Sequence, residues 1–214
     1  MRIAVNYHNI QILSDELTNQ EAEDYCRYAA NEREKVEIYW GATWSEPIRI
    51  HVDSSYQISK ALIPAYHGNR GFMEMPLHRV KSNNCALLHE IVHIYAPNDN
   101  RFLAEGLAVY LQDILGGNPS YPNFGNHLND KARGRAFQIN SLQSLDNIRT
   151  PASLGKGVEG TTAYIIGGSF VGFLIEKYGL SQFKNVYESG DYSKIQGKTL
   201  QILENEWRFS LQDT

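Results

Sequence analysis

Cysteine is scarce in this sequence: the 214 residues hold two, Cys26 and Cys85, too few for a disulfide framework. A single bridge or two buried thiols stay open, and the helix-compatible surroundings of both favour thiols. A long apolar run is also missing. The longest uncharged stretch that reads as apolar, residues 160–175, is 16 residues with four glycines, short of the roughly 20 needed to span a bilayer. It suits a buried helix, and no transmembrane segment is expected. Neither sign of charge dominates. Lysine and arginine number 20 against 24 acidic residues, and the formal charge of −4 offers no general attraction to nucleic acid or anionic membranes; no nucleic-acid partner is expected. Residues 1–10 lack the basic region and apolar segment of a secretory leader. That favours a cytoplasmic address for a chain native at Met1 and leaves a secreted or cell-surface one open if a leader has been removed. Internal repeats and low-complexity tracts are absent. With 42% hydrophobic and 21% charged residues there is material for one compact core, or a core with a small lobe.

Period-2 fragments at Ile3, Val5 and Tyr7, then Ile10, Ile12 and Leu13, suit an opening strand. Thr18 with Glu21 three residues on forms a capping box, so residues 20–35 are predicted to be a helix with Ala22, Tyr25, Cys26 and Ala29 inward. Residues 36–40, 48–52 and 72–80 are further strand candidates, the first two separated by a turn. After residue 82 the pattern becomes helical, over 83–95 and 101–115, with a break at Pro97-Asn98-Asp99-Asn100 and a stop at Gly116-Gly117. Residues 118–129 read as a long surface loop of the kind that borders a site. Residues 161–178, 180–189 and 197–209 read as helices, Gly179 stopping the first. The expectation is an α+β chain of one domain, with a mixed-sheet lobe over residues 1–81 and the remaining helices, including a helical lobe, over 82–214.

The strongest signal is His89-Glu90-Ile91-Val92-His93, an H-E-x-x-H pentad in a helix-compatible run. Residues four apart on a helix are separated by about 6 Å of rise and share a face, so the two imidazoles can grip one ion. Glu90, beside the first imidazole, can reach a water next to that ion without ligating it. With 7 His and 15 Glu in the chain, random placement yields the pentad about 0.016 times. The flanking Leu87, Leu88, Ile91, Val92 and Ile94 are apolar, so the three polar groups are expected in a buried helix, where each needs a partner or a task.

A catalytic zinc site takes three protein ligands and an open position. Twelve residues beyond His93, Phe102-Leu103-Ala104-Glu105-Gly106-Leu107-Ala108 sets one acid, Glu105, in an otherwise apolar helix. Ligation would offset its burial; a cap or an ion pair with Arg101 is the competing role. Pro97 to Asn100 supplies a reversal, and Gly106 and Ala108 are small enough to let the helix approach the one before it. Cys85, four residues before His89, is a conceivable fourth ligand that would close the site, a buried thiol being the alternative.

These two segments together resemble the gluzincin signature, in particular the peptidase MA-like metallopeptidases. The resemblance implies a zincin-like fold with a thermolysin-type catalytic core, one zinc ion in a cleft between a mixed-sheet lobe and a helical lobe, and hydrolysis of peptide or protein substrates. Gly71-Phe72-Met73-Glu74-Met75 and Tyr164-Ile165-Ile166-Gly167-Gly168 are similar to two motifs of the gluzincin aminopeptidases. The first departs at Met75, where Asn is usual, and the second at Ile166, where Lys is usual. Residues 71–77 would then be the edge strand that holds substrate backbone, with Glu74 in solvent or binding an amine.

The implied chemistry assigns roles. His89, His93 and Glu105 would hold zinc, which acidifies water and polarises a carbonyl. Glu90 would take the proton of the attacking water and pass it to the leaving amine. Tyr164, at the start of a Gly-rich helix, would steady the oxyanion, unless its phenol is simply tied into the core. Tyr95, Tyr110 and His127 are reserves. Asp113, Asp99 or backbone carbonyls would orient the imidazoles. His8, His51, His67 and His78 have no ligand spacing. A non-catalytic zincin-fold binding or regulatory protein and an aminopeptidase are the alternatives.

Overall fold

The computed structural model describes residues 3–62, 68, 70–146 and 161–212. Helix dominates the described chain, which carries a five-stranded mixed sheet and is therefore α+β. It divides into two units, Met1–Pro97 with Ile114–Ser120, and Asn98–Asp113 with Tyr121–Thr214.

The first unit holds the sheet. β1 (Ile3–Tyr7) and β2 (Ile10–Leu13) form an antiparallel hairpin, where one opening strand was expected. His8 and Asn9 turn it with φ of 48° and 60°, the left-handed pair that a tight hairpin requires. β3 (Ile48–Asp53) runs parallel to β2 and to β5 (Phe72–Pro76), and β4 (Lys60–Leu62) pairs antiparallel with β5. The order is β1-β2-β3-β5-β4, which makes β4 an edge. Ile10, Ile12, Ile48, Ile50, Val52, Met73 and Met75, at alternating positions, are essentially inaccessible and form one apolar face.

α1 (Asn19–Trp40) packs on β1 and β2. The capping box is formed: Glu21 N–H donates to Thr18 Oγ1 and Thr18 N–H to Glu21 Oε2. The helix runs through residues 36–40, expected as strand. Alternation there put Val36, Ile38 and Trp40 on one face, but the helix buries Val36 and Trp40 and leaves Ile38 74% exposed. It ends at Gly41, whose φ of 65° suits glycine. The strand expected over 72–80 stops at Pro76, after which Leu77–Lys81 forms a short helix, α2. Asn83, at φ 50°, cannot continue a helix, so the one predicted from residue 83 begins at Leu87: α3, Leu87–Tyr95.

The second unit is helical: α4 (Arg101–Ile114), α5 (Leu128–Arg133), α6 (Gln143–Asp146), α7 (Thr162–Tyr178), α8 (Leu180–Ser189) and α9 (Leu200–Ser210). α5 starts inside the expected 118–129 loop. α9 starts later than residue 197 because Gly197 has φ 72° and Thr199 supplies the cap. A Cβ on Gly106 of α4 would lie 2.6 Å from the Gly167 carbonyl oxygen of α7, so these helices meet backbone to backbone. Phe170 of α7 contacts Phe102, Tyr192 and Trp207, and Trp207 Nε1 donates to Ser169 Oγ at 3.0 Å. No described helix is long and apolar enough to cross a membrane.

Candidate functional site

α3 carries the pentad, and all nine of its residues are buried. Arg70 Nε donates to the Ile94 carbonyl at 2.9 Å, satisfying an acceptor in the last turn, and the Arg70 guanidinium lies over the Trp44 ring. Tyr95 is held by Arg33, whose Nε donates to its hydroxyl at 2.8 Å, while that hydroxyl donates to Glu37. Arg33 also donates to the His8 and Trp44 carbonyls, joining hairpin, α1 and α3. α3 is thus fixed against the sheet unit by its end as well as by its packing on α1.

His89 Nε2 and His93 Nε2 are 3.3 Å apart, with ring planes at 81°. Two nitrogens at zinc-bond length of about 2.05 Å, opened to the tetrahedral angle, would stand about 3.3 Å apart. Glu90 is buried next to them, and its Oε2 accepts the Ala61 N–H of edge strand β4 at 2.7 Å. The other oxygen carries the remaining acceptor capacity, which a general base must direct at its proton source.

Glu105 lies buried in α4, and Arg101 one turn earlier donates to its Oε1. The ion pair that was the competing role for Glu105 is therefore present. Asn100 caps the helix through its Oδ1, which accepts Leu103 N–H, and is anchored by Asp146. The charge of Glu105 is felt by two tyrosines. The Tyr187 phenol is pushed up by burial, with Arg101 opposing and Glu105 adding; the Tyr121 phenol is pushed up by burial and then by Glu105. Gly106 is spent on the contact with α7. His89, His93 and Glu105 are, among the described residues, the group of three His, Cys, Asp or Glu side chains that could each offer one atom to an ion.

Tyr164 sits in the first turn of α7, half-buried, with its ring edge-on to Tyr121 at 5.3 Å. The reserves are placed differently. Tyr95 belongs to the Arg33 cluster, the Tyr110 hydroxyl donates to Glu176, and His127 is exposed before α5. Cys85 precedes α3 and meets the Tyr25 hydroxyl at 3.3 Å, a buried free thiol whose pKa burial raises; Cys26 is likewise buried and free. Asp99 is exposed, and Asp113 accepts from Asn123. His8 and His78 are exposed, His51 bonds Tyr56, and His67 lies outside the described residues.

The edge-strand expectation for residues 71–77 is corrected. β5 lies between β3 and β4, and the edge is Lys60–Leu62. Three residues are too short a run for periodicity to reveal, whereas Gly71 to Met75 resembled a motif. Glu74, expected in solvent or binding an amine, is ion-paired with Lys60 at 2.8 Å. Sequence reading also passed over Tyr121 and the Ala61 N–H. Tyr121 is one of 13 tyrosines, and a backbone donor has no letter.

No family model matches this chain, nor does any curated protein or solved structure.

Proposed function

We propose that the chain is a zinc-dependent peptidase of the gluzincin type, a zincin-like fold in which His89, His93 and Glu105 hold one zinc ion. The observation that carries the reading is the 3.3 Å separation of the two imidazole nitrogens on a buried helix. Two tetrahedral ligands of one zinc ion stand at about the same distance. Two imidazoles and a carboxylate also match the donor set of an open, catalytic zinc site. When bound, such an ion supplies Lewis acidity toward a peptide carbonyl and toward water.

The residues divide the remaining work. Glu90, with Oε2 held by Ala61 N–H, is oriented to accept a proton from water on its other oxygen and to return it to the departing amine. Tyr164 is the donor we assign to the developing oxyanion, with Tyr121 packed on it to limit its motion. Substrates would be peptides or protein segments in extended form.

A second reading rests on the Arg101–Glu105 ion pair: a zincin-fold binding protein in which Glu105 serves structure instead of metal. Zinc content per chain, by elemental mass spectrometry after dialysis against metal-free buffer, separates the two. The peptidase reading requires close to one zinc in wild type and a marked loss in Glu105→Ala. Wild type that neither retains zinc nor takes it up tightly would leave the second reading standing.

A further inference from the structure

Phe124 is 59% exposed and adopts φ 52°, a conformation a bulky residue keeps only when its surroundings impose it. The surroundings are rigid. Buried Asn123 donates to Asp113 Oδ1 at 2.8 Å and to the Asn126 carbonyl at 3.0 Å, and Asn126 Nδ2 returns a bond to the Asn123 carbonyl at 2.7 Å. Gln112 Nε2 donates to the Tyr121 carbonyl. The turn is thereby fastened to the end of α4, and what it presents outward is an aromatic ring that would gain by burial.

That ring is one of three. Tyr121 stands edge-on to Phe124 at 6.3 Å and 88°, and edge-on to Tyr164 at 5.3 Å and 75°. The middle ring belongs to Tyr121, whose carbonyl is bonded by Gln112, seven residues from Glu105 along α4 and so on the same helix face, and the Glu105 charge acts on its phenol. Successive rings at nearly right angles form notches that suit the face or edge of another ring, where a flat sugar face would need coplanar rings. The exposed parts of Phe124 and Tyr121 together offer on the order of 200 Å², far below the roughly 800 Å² per partner of a stable protein interface.

We propose that Phe124, Tyr121 and Tyr164 form a platform that selects an aromatic side chain flanking the bond to be cleaved, in an extended peptide substrate. The proposal rests on the zinc-peptidase reading for its chemistry, but recognition can be measured apart from cleavage. Two pools of fluorescein-labelled octapeptides, with Phe or Ala fixed at the centre and the other positions mixed, serve as probes. Cleavage by the zinc-loaded full chain is expected to favour the Phe pool about tenfold in kcat/KM. Phe124→Gly, which suits the left-handed backbone and so keeps the turn, is expected to reduce that ratio at least fivefold. Fluorescence anisotropy on Glu90→Gln protein reads the same preference as binding. Preferential binding of the Phe pool, lost in Phe124→Gly, with no cleavage by wild type would keep the platform and discard the peptidase. Equal treatment of both pools by wild type, or a preference that Phe124→Gly retains, would overturn the platform.

Discussion

Four buried polar side chains, His89, Glu90, His93 and Glu105, sit among largely apolar neighbours on their helices, Glu105 with Arg101 beside it. Each costs desolvation, and each must recover that cost through a partner. Glu90 recovers part of it from Ala61 N–H, a bond that a neutral amide can make only with its carbonyl oxygen. Glu90→Gln is therefore expected to fold and retain zinc while turnover falls about 10²–10⁴-fold. Elemental zinc and peptide cleavage on one preparation read both quantities, and full activity in the variant would end the general-base role. Tyr164→Phe removes one hydroxyl and leaves the edge-on ring contact with Tyr121. Turnover is expected to fall about 100-fold with KM little changed, the signature of a contact made in the transition state; unchanged kcat would remove Tyr164 from the reaction. These four acids and imidazoles were legible in the sequence because a charge inside an apolar helix is conspicuous. The Ala61 amide and Tyr121 were not, because their positions depend on a three-residue strand and a folded turn.

Helices declared themselves where caps and spacing agreed, as at Thr18 with Glu21 and at Gly179, and failed where a short stretch satisfied two periods. Val36 to Trp40 alternates like a strand, yet it continues a helix whose buried face already included Ala29. Gly106 illustrates the same competition energetically. Helix propensity alone makes Gly106→Ala stabilising by about 1 kcal/mol. The new Cβ, however, would meet the Gly167 oxygen at 2.6 Å and Val171 Cγ2 at 2.9 Å, and backbone cannot move aside cheaply. A net loss of about 1–3 kcal/mol in urea unfolding is expected, and a gain would refute the close approach of α4 and α7. The α7–α9 joint adds a pH signature. Lys198 and Tyr178, with Lys177, hold the Glu206 carboxyl well down, at about 2. Its contribution is complete above the ordinary carboxylate range and is lost as pH falls toward 2. Urea midpoints of wild type and Glu206→Gln should differ at pH 6 and converge by pH 2; a constant difference would refute the linkage.

For the whole chain, composition excluded more than it identified, and the α+β class followed from the change of period near residue 82. The finer division did not follow. The second unit takes in residues 98–113, the chain then returns to the first for residues 114–120, and no composition shift marks either crossing. A metal held as proposed by His89, His93 and Glu105 would bind the folded chain and not the unfolded one, so its binding free energy would add to stability. Free zinc at 100 times the dissociation constant contributes about 2.7 kcal/mol, which for a chain of this size raises Tm by about 5–10 °C. Differential scanning calorimetry of wild type in zinc and in EDTA should show that interval, and His93→Ala should lose most of it, because a site reduced to two ligands binds zinc far more weakly. A wild type with the same Tm in both buffers would mean that no zinc is held by the folded state, and the peptidase reading would fall with it.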